Sequence, residues 1–285
     1  MSVLSDYEQH LSRLPLSKNT QRNYLARVRK YLAWIESSGE APRALSEGVA
    51  RDLAVREYKQ HLMLSGSTSS TVNSHLCAID SLYLFLGLGP AGAKRQELPA
   101  LAPRALDQEE LRRLLKAIAQ TKSYRNKSIA LLMLHCGLRI SEVHSLLISD
   151  VLLCARKREV TVRLGKGDKR RTIPINADTA EALRDYLQTS KRTDPNLPLF
   201  GSRKTERLSE AGIDHLIRQF GREAGIELSS HRLRHTCLTR LVRGGVDIVA
   251  VASIAGHSRL ETTRRYTLPS AEVMISAMEQ LNSPR

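Results

Sequence analysis

The segment HRLRH at residues 231–235 places histidine and arginine at spacings suited to binding an anion and moving a proton. His231 and Arg234 are three residues apart, so a helix would present both on one face. The arginine fork matches phosphate oxygens, and imidazole exchanges protons near neutral pH. His235 lies four residues after His231, as two metal ligands on a helix would, but Arg232 stands where the HExxH pattern requires glutamate. The segment therefore favours an anion clamp with a proton-transfer group over a metal centre.

A second candidate cation is Arg139, in the segment CGLRISE at residues 136–142. Gly137 follows the last apolar position of one predicted helix, and Ser141 is predicted to cap the next. Arg139 would then lie in the tight joint between the helices, with Glu142 one turn away to orient it. Taken alone, this pattern is more typical of an ordinary surface arginine.

A predicted β-hairpin carries a third group of cations. Lys166 lies between two glycines in GKGDK, residues 165–169, and the segments EVTVRL and RRTIPI on either side are rich in β-branched residues. Lys169, Arg170 and Arg171 follow the tip directly. A cationic tip on a two-stranded ribbon could enter a DNA groove, although a solvated turn is the commoner use of such a tip.

The fourth segment contains a histidine and a tyrosine near the end of the chain. His257 follows Gly256, which is predicted to end a helix, and Tyr266 comes nine residues later in TTRRYT. A phenol with a pKa of about 10 is a poor nucleophile at neutral pH, but neighbouring cations favour the phenolate. By itself, Tyr266 is more typical of a packed or surface tyrosine.

Taken together and in this order, the segments resemble the catalytic signature of the tyrosine recombinases, the phage integrase family, in their compact two-domain Xer-like form. GLRISE, GKGDKRRTIPI, HRLRHT and GHSRLETTRRYT each resemble one motif of that family, over about 107–267. SKNTQRNYLARVRKYLAWI adds a weaker similarity in the first half of the chain. Two departures are mild, because Ala255 and Leu268 replace residues that do not react.

The resemblance implies phosphoryl transfer on DNA, in which a tyrosine oxygen attacks the scissile phosphate and leaves a 3′-phosphotyrosyl link and a free 5′-hydroxyl. The 5′-hydroxyl of a partner strand then releases the tyrosine, and neither a metal nor another cofactor is needed. The implied roles are nucleophile for Tyr266, general acid for Lys166, general base for His231, phosphate binding for Arg139, Arg234 and His257, and support for Glu142.

Apolar periodicity predicts the elements that must hold these residues. In the first half, the apolar stripe 25, 28, 32 and 35 marks one helix, and further helices are predicted at 49–64 and 69–86. In the second half, Asp107 and Glu110 form a predicted capping box, and helices are predicted at 123–136, 141–147, 177–189, 209–224, 231–243, 246–254 and 271–281. The fold class is therefore mainly α with a small β-sheet. The resemblance implies a SAM-like helical core-binding domain followed by a mixed α/β catalytic domain.

Composition adds a polyanion partner and a division into domains. The 285 residues carry a formal charge of +15, which attracts polyanions, and no apolar run approaches a membrane span. Gly and Pro punctuate residues 89–106, so we predict a DNA core-binding domain at 1–88, a linker at 89–106 and a catalytic domain at 107–285. The residues expected to contact DNA are Lys18, Thr20, Arg22, Arg27, Lys169, Arg170 and Arg171.

No secretory signal is evident, and four dispersed cysteines are predicted to be packed thiols of a cytoplasmic protein.

The expected partner is a double-stranded DNA recombination site, with a dimer on each site, a homotetramer in the synaptic complex and a possible accessory DNA-binding protein. The predicted final helix at 271–281 is expected to dock on a neighbouring protomer, with docking in cis as the alternative. Two other functions remain open, namely relaxation of DNA in the manner of a type IB topoisomerase and non-catalytic DNA-binding regulation. The target site and the biological outcome, whether integration, transposon resolution or chromosome dimer resolution, do not follow from the sequence.

Overall fold

The computed structural model describes residues 3–39, 41–97, 105–164, 169–202 and 205–256, and the chain divides into two compact units, Met1–Pro99 and Ala100–Arg285. The division falls inside the predicted linker 89–106. Helices dominate the described part of both units, and that of the second unit also contains a small antiparallel sheet. The predicted fold class is confirmed. The predicted helix at 271–281 lies outside the described residues.

The first unit is a helical bundle with its own apolar core. The predicted stripe faces this core, since Val28 and Ile35 are fully buried and Leu32 nearly so. Two helices, the first and the short third, are not predicted from the periodicity. The helices are α1 (Val3–Arg13), α2 (Lys18–Ser37), α3 (Ala41–Ala44), α4 (Gly48–Leu64) and α5 (Ser69–Phe85).

Hydroxyl side chains cap the N-termini of two of the long helices, α2 and α5. The Ser17 hydroxyl accepts a hydrogen bond from the Thr20 amide at 3.1 Å, and Thr68 does the same for Thr71 at 3.2 Å. Each cap satisfies an amide that the helix itself leaves unpaired, and such caps contribute about 1 kcal/mol. The positions of these helices are therefore encoded locally.

Part of the predicted linker is bound to the first unit. The Gly92 amide donates to Asp52 of α4 at 3.0 Å, and the Ala91 amide donates to Asp80 of α5 at 3.1 Å. These residues have neither helical nor strand structure. Side-chain acceptors on two helices thus hold the chain as it leaves the first unit.

In its described residues, the second unit contains helices, a three-stranded sheet, one large apolar core and a smaller apolar cluster around Leu238 and Val251. A short 3₁₀ turn, Ile148–Asp150, leads into the first strand. In chain order the elements are α6 (Gln108–Gln120), α7 (Tyr124–Cys136), α8 (Ile140–Ser145), β1 (Val151–Leu153), β2 (Arg158–Leu164), β3 (Lys169–Pro174), α9 (Ala177–Ser190), α10 (Glu210–Ala224), α11 (Ser230–Arg243) and α12 (Ile248–Ala255).

Strands β2 and β3 form the predicted hairpin, with Val162 opposite Arg171 and Arg163 opposite Arg170. Strand β1, which is not predicted, pairs antiparallel with the other edge of β2. Successive side chains of a strand point to opposite faces. Ile173 and Arg171 therefore share the buried face of β3, whereas Arg170 is exposed.

The prediction that all four cysteines are packed is wrong for two of them. Cys77 and Cys154 are exposed, whereas Cys136 and Cys237 are buried in the second unit. Burial raises the pKa of each buried thiol to about 12, which keeps it protonated and unreactive near neutral pH. Within the described residues, no helix is both long enough and apolar enough to cross a bilayer.

Candidate active site

Helix α7 ends in a glycine turn that leads directly to Arg139. Gly137 has a φ of +62°, a left-handed conformation that glycine adopts without strain. The residue that caps α8 is Arg139, so the predicted cap at Ser141 is wrong. Ser141 lies inside the helix, where its carbonyl accepts a hydrogen bond from the Ser145 hydroxyl. The helix begins earlier than predicted because Glu142, at its third position, satisfies the Arg139 amide.

Glu142 holds Arg139 at two points. Its Oε2 accepts a hydrogen bond from the backbone amide of Arg139 at 2.8 Å, and its Oε1 accepts one from Nη1 of the same residue at 2.8 Å. The Arg139 side chain is 39% exposed, whereas the Glu142 side chain is only 7% exposed. The carboxylate therefore restrains the guanidinium and still leaves part of it accessible to an anion.

The same carboxylate is bound from the other side by Arg171 of β3. Nη1 and Nη2 of Arg171 donate to the two oxygens of Glu142 at 2.9 and 2.8 Å, and Nε donates to the carbonyl of Ile254 at 2.8 Å. Burial alone would raise the pKa of Glu142, but hydrogen bonds and charge from Arg171 and then Arg139 outweigh it. The pKa of Glu142 consequently lies below its ordinary value, and the group is ionised at neutral pH.

Arg234 joins two turns that are far apart in the sequence. From helix α11, its Nη1 donates to the carbonyl of Gly137 at 2.5 Å and its Nη2 donates to the carbonyl of Ala255 at 2.6 Å. The side chain is almost fully buried. Carbonyl oxygens orient a guanidinium without cancelling its charge. Arg234 thus links the turn before Arg139 to the end of helix α12.

Helix α12 ends in a second glycine turn, at Gly256, which has a φ of +63°. A Cβ built at this position would lie 2.7 Å from Nη1 of Arg171, closer than real Cβ atoms approach. Glycine is therefore needed here for two reasons, the backbone conformation and the closeness of the arginine. The turn directs the chain toward His257.

Two family models match the two units. The phage integrase family model matches residues 104–272, and the model for the phage integrase N-terminal SAM-like domain matches residues 4–87. The first of these matches spans more than half of the chain. The chain belongs to the phage integrase family. It is a tyrosine recombinase, a class of enzymes that cleave and rejoin DNA.

Relatives of this tyrosine recombinase match it over nearly their whole length. Tyrosine recombinase XerA of Thermococcus onnurineus is 34% identical over 98% of this chain and 94% of its own. XerA of Thermococcus kodakarensis is 32% identical with the same coverage. The TnP I resolvase of Bacillus thuringiensis is 27% identical over 99% of this chain and 100% of its own.

Solved structures agree with this placement. A crystal structure of XerA recombinase covers 99% of both chains at 26% identity, with a TM-score of 0.56. The Tn1549 transposon integrase in complex with circular intermediate DNA, at 19% identity, has a TM-score of 0.69 over 99% of this chain and 100% of its own, and it supports the fold alone.

The described part of the recombinase contains four of the seven predicted active-site residues. Arg139, Glu142 and Arg234 are connected through the Gly137 turn. His231 is exposed in the first turn of α11, three residues before Arg234. The other three, Lys166, His257 and Tyr266, lie outside the described residues.

The residues predicted to contact DNA fall into two groups. In the first unit, Lys18 and Arg22 are exposed on α2, and Thr20 and Arg27 are partly exposed. On the hairpin, Lys169 begins β3, and Arg170 is exposed next to it. Arg171 differs from its expected place, because its guanidinium is buried against Glu142 and Ile254 instead of facing solvent. A strand alternates its faces, so two adjacent arginines cannot both point outward.

Another contact near the site is not evident from the sequence. Arg232, the residue after His231, binds both oxygens of Glu110 on α6 at 2.8 and 2.7 Å. The amide of Leu106 donates to the Thr236 hydroxyl at 3.0 Å. The start of the second unit is thereby fixed to helix α11.

Proposed function

We propose that this protein is a site-specific DNA recombinase that works through a 3′-phosphotyrosyl intermediate. Its family membership supports this function. The structural observation that carries it is the pair of hydrogen bonds from Arg234 to the carbonyls of Gly137 and Ala255. These bonds bring the turn before Arg139 and the turn before His257 to the same guanidinium. We infer that one phosphate contacts Arg139, Arg234 and His257 together.

The chemistry exchanges one phosphoester for another. The phenol oxygen of Tyr266 bonds to the scissile phosphorus and gives its proton to His231. The bond to the 5′-oxygen breaks, and Lys166 protonates that leaving oxygen. The 5′-hydroxyl of a partner strand reverses these steps and releases the tyrosine. The number of phosphoester bonds is unchanged, so no ATP is required.

The cations are proposed to stabilise the transition state more than the ground state. Negative charge develops on the equatorial oxygens of the phosphate, and preorganised donors stabilise it. Arg139 and Arg234 each offer a planar fork, and His257 adds a third donor. By comparison with a single oxyanion-hole donor, each contributes a few kcal/mol, or about 10²–10³ in rate.

The decisive experiment begins with the DNA that flanks the protein's own gene. Footprinting and end mapping with the purified protein would locate the site that it protects and cleaves. A duplex carrying that site and a nick beside the scissile phosphate traps the covalent adduct, because the short cleaved strand diffuses away. A recombinase forms the adduct and also joins two sites.

The same experiment separates the two alternative functions. Rapid relaxation of supercoiled plasmids that lack the mapped site, without exchange between sites, would indicate a type IB topoisomerase activity. Binding of the site with no adduct under any condition would indicate a non-catalytic regulator. Either result would contradict the proposal.

Loss of Lys166 is expected to slow cleavage by depriving the leaving 5′-oxygen of its proton. Lys166→Ala should reduce the single-turnover cleavage rate by about 10²–10⁴ on an ordinary site. A 5′-thiolate leaves without protonation, so a substrate with sulfur at that bridging position should restore most of the rate. If the variant is as slow on the sulfur substrate, another group is the general acid.

We further propose that two protomers occupy each site and four form the synaptic complex, with residues 271–281 docking on a neighbour. Deletion of residues 270–285 should then weaken the cooperative binding of the second protomer. A mobility-shift titration measures this effect, and binding of the first protomer is the internal control. Unchanged cooperativity would mean that this segment does not dock on a neighbour.

The proposed partner is double-stranded DNA bound through its phosphates by both units. The cations of α2 and of β3 would contact the DNA backbone, so the affinity for DNA should fall steeply with salt concentration. The residues proposed for these contacts are Lys18, Thr20, Arg22, Arg27, Lys169 and Arg170.

A further inference from the structure

Arg171 is a charged residue on the buried face of a strand. Alternation along β3 places it with Ile173, which is 2% exposed, and next to Val162 of the paired strand, which is 1% exposed. Burying an unpaired guanidinium would be costly, so such a position requires a partner of opposite charge. Glu142 is that partner.

The contacts of Arg171 connect three separate elements. One edge of its guanidinium binds both oxygens of Glu142 on α8, and its Nε binds the carbonyl of Ile254 on α12. The side chains of Arg171 and Glu142 are 8% and 7% exposed. A planar fork held at three acceptors has little freedom to rotate.

Each of these elements leads to a residue of the proposed active site. Glu142 also binds the guanidinium of Arg139 at 2.8 Å. Ile254 lies two residues before Gly256, whose turn precedes His257. Strand β3 begins at Lys169, three residues after Lys166. The absence of a Cβ at Gly256 allows this turn to approach Arg171 closely.

We propose that Arg171 is a positioning residue of the recombinase, which sets Arg139 and the turn before His257 through its contacts with Glu142 and Ile254. This inference rests on the proposed function of the site. It replaces DNA contact as the role of Arg171, because the guanidinium is directed to protein acceptors. A buried ion pair adds little net stability compared with well-packed apolar residues, so its fixed geometry is the main contribution.

The test compares Arg171→Lys, which keeps the charge and loses the fork, with the double variant Arg171→Met, Glu142→Gln. The double variant leaves no uncompensated buried charge, and the amide oxygen of the introduced glutamine can still accept a hydrogen bond from Arg139. Arg163→Lys is the control, since it makes the same substitution at another arginine of the sheet, whose ion pair is with Asp150 of the 3₁₀ turn. Thermal unfolding, affinity for the mapped site and single-turnover formation of the covalent adduct at saturating DNA are measured for each.

We expect both variants to bind site DNA within about threefold of the wild type and to form the adduct about 10–100-fold more slowly. A loss of activity of about 10–100-fold is typical when a residue that orients a metal ligand is removed, and we expect a similar loss for a residue that orients a phosphate-binding arginine. Arg163→Lys should change the rate by less than about threefold. The loss of rate in Arg171→Lys should be smaller on a substrate with an uncharged methylphosphonate at the scissile position. Cleavage of that group depends less on the cations that Arg171 positions.

Several outcomes would overturn the inference. Wild-type cleavage by the double variant would show that the pair only stabilises the fold. A loss of DNA affinity as large as the loss of rate would make Arg171 a DNA contact. If Arg171→Lys slowed cleavage of phosphate and methylphosphonate substrates equally, Arg171 would not act through the phosphate-binding groups. If the wild-type protein itself formed no adduct, the proposed function would fail before this inference was tested.

Discussion

Replacement of Tyr266 by phenylalanine leaves a protein that binds its DNA site and forms no covalent adduct. The change removes one oxygen atom, so DNA affinity and folding should be nearly unchanged. That oxygen is the proposed nucleophile, and phenylalanine has no atom that can bond to phosphorus. The expected loss of cleavage is therefore complete within detection.

The measurement uses the nicked site duplex and a denaturing gel that separates the protein–DNA adduct from free strands. Tyr124→Phe is the matched control, because Tyr124 is 46% exposed and lies at the start of α7, outside the proposed machinery. It should form adduct at the wild-type rate. An adduct formed by Tyr266→Phe would show that a different side chain attacks the phosphate.

Replacement of Arg139 by alanine should slow adduct formation by about 10²–10³ at saturating DNA. The guanidinium is proposed to bind a non-bridging oxygen of the scissile phosphate as negative charge develops there. Its loss should therefore raise the activation barrier of cleavage and not only the dissociation constant for DNA. Glu142 keeps both hydrogen bonds from Arg171 after this change, so no buried charge is left unpaired. The variant is therefore expected to fold.

Single-turnover kinetics on the nicked duplex provide the measurement, and Arg112→Ala is the control. Arg112 is a 77% exposed arginine that pairs with Glu109 on the surface of α6. A methylphosphonate at the scissile position carries no charge on its non-bridging oxygen, so Arg139→Ala should lose less on that substrate than on phosphate. A rate within a few fold of the wild type on phosphate would remove Arg139 from the proposed catalytic group.

The local elements of the fold follow from local chemistry, and most of them are predictable. The box formed by Asp107 and Glu110 is present at the start of α6, with hydrogen bonds of 2.8 and 3.1 Å. The hairpin forms from the predicted segments because β-branched residues on either side of a glycine-rich tip favour it. Strand β1 is missed because three residues are too few to show a period.

Two features that differ from the predictions, the burial of Arg171 and the cap of α8, also have a signal in the sequence. Arg171 shares its parity with Ile173 and Ile175, which are buried, so period-two alternation already assigns it to the core. Three consecutive basic residues, 169–171, are also typical of an exposed basic tip, and this second pattern favours the wrong prediction for Arg171. Serine is the commoner capping residue, which favours Ser141 as the cap of α8, but Glu142 lies three positions after Arg139 and accepts the Arg139 amide.

Local sequence patterns specify most of the helices, the capping box at Asp107, the hairpin and the ordered set of residues that resembles the tyrosine recombinases. These features depend on neighbours within a few positions, so local patterns encode them. The long-range contacts depend on the folded unit: Arg234 binds the carbonyls of Gly137 and Ala255, which are 97 and 21 residues away, and the buried Arg171 finds its partner in Glu142. Periodicity tells which face of an element is buried, but the packing of the whole unit decides which partner that face meets.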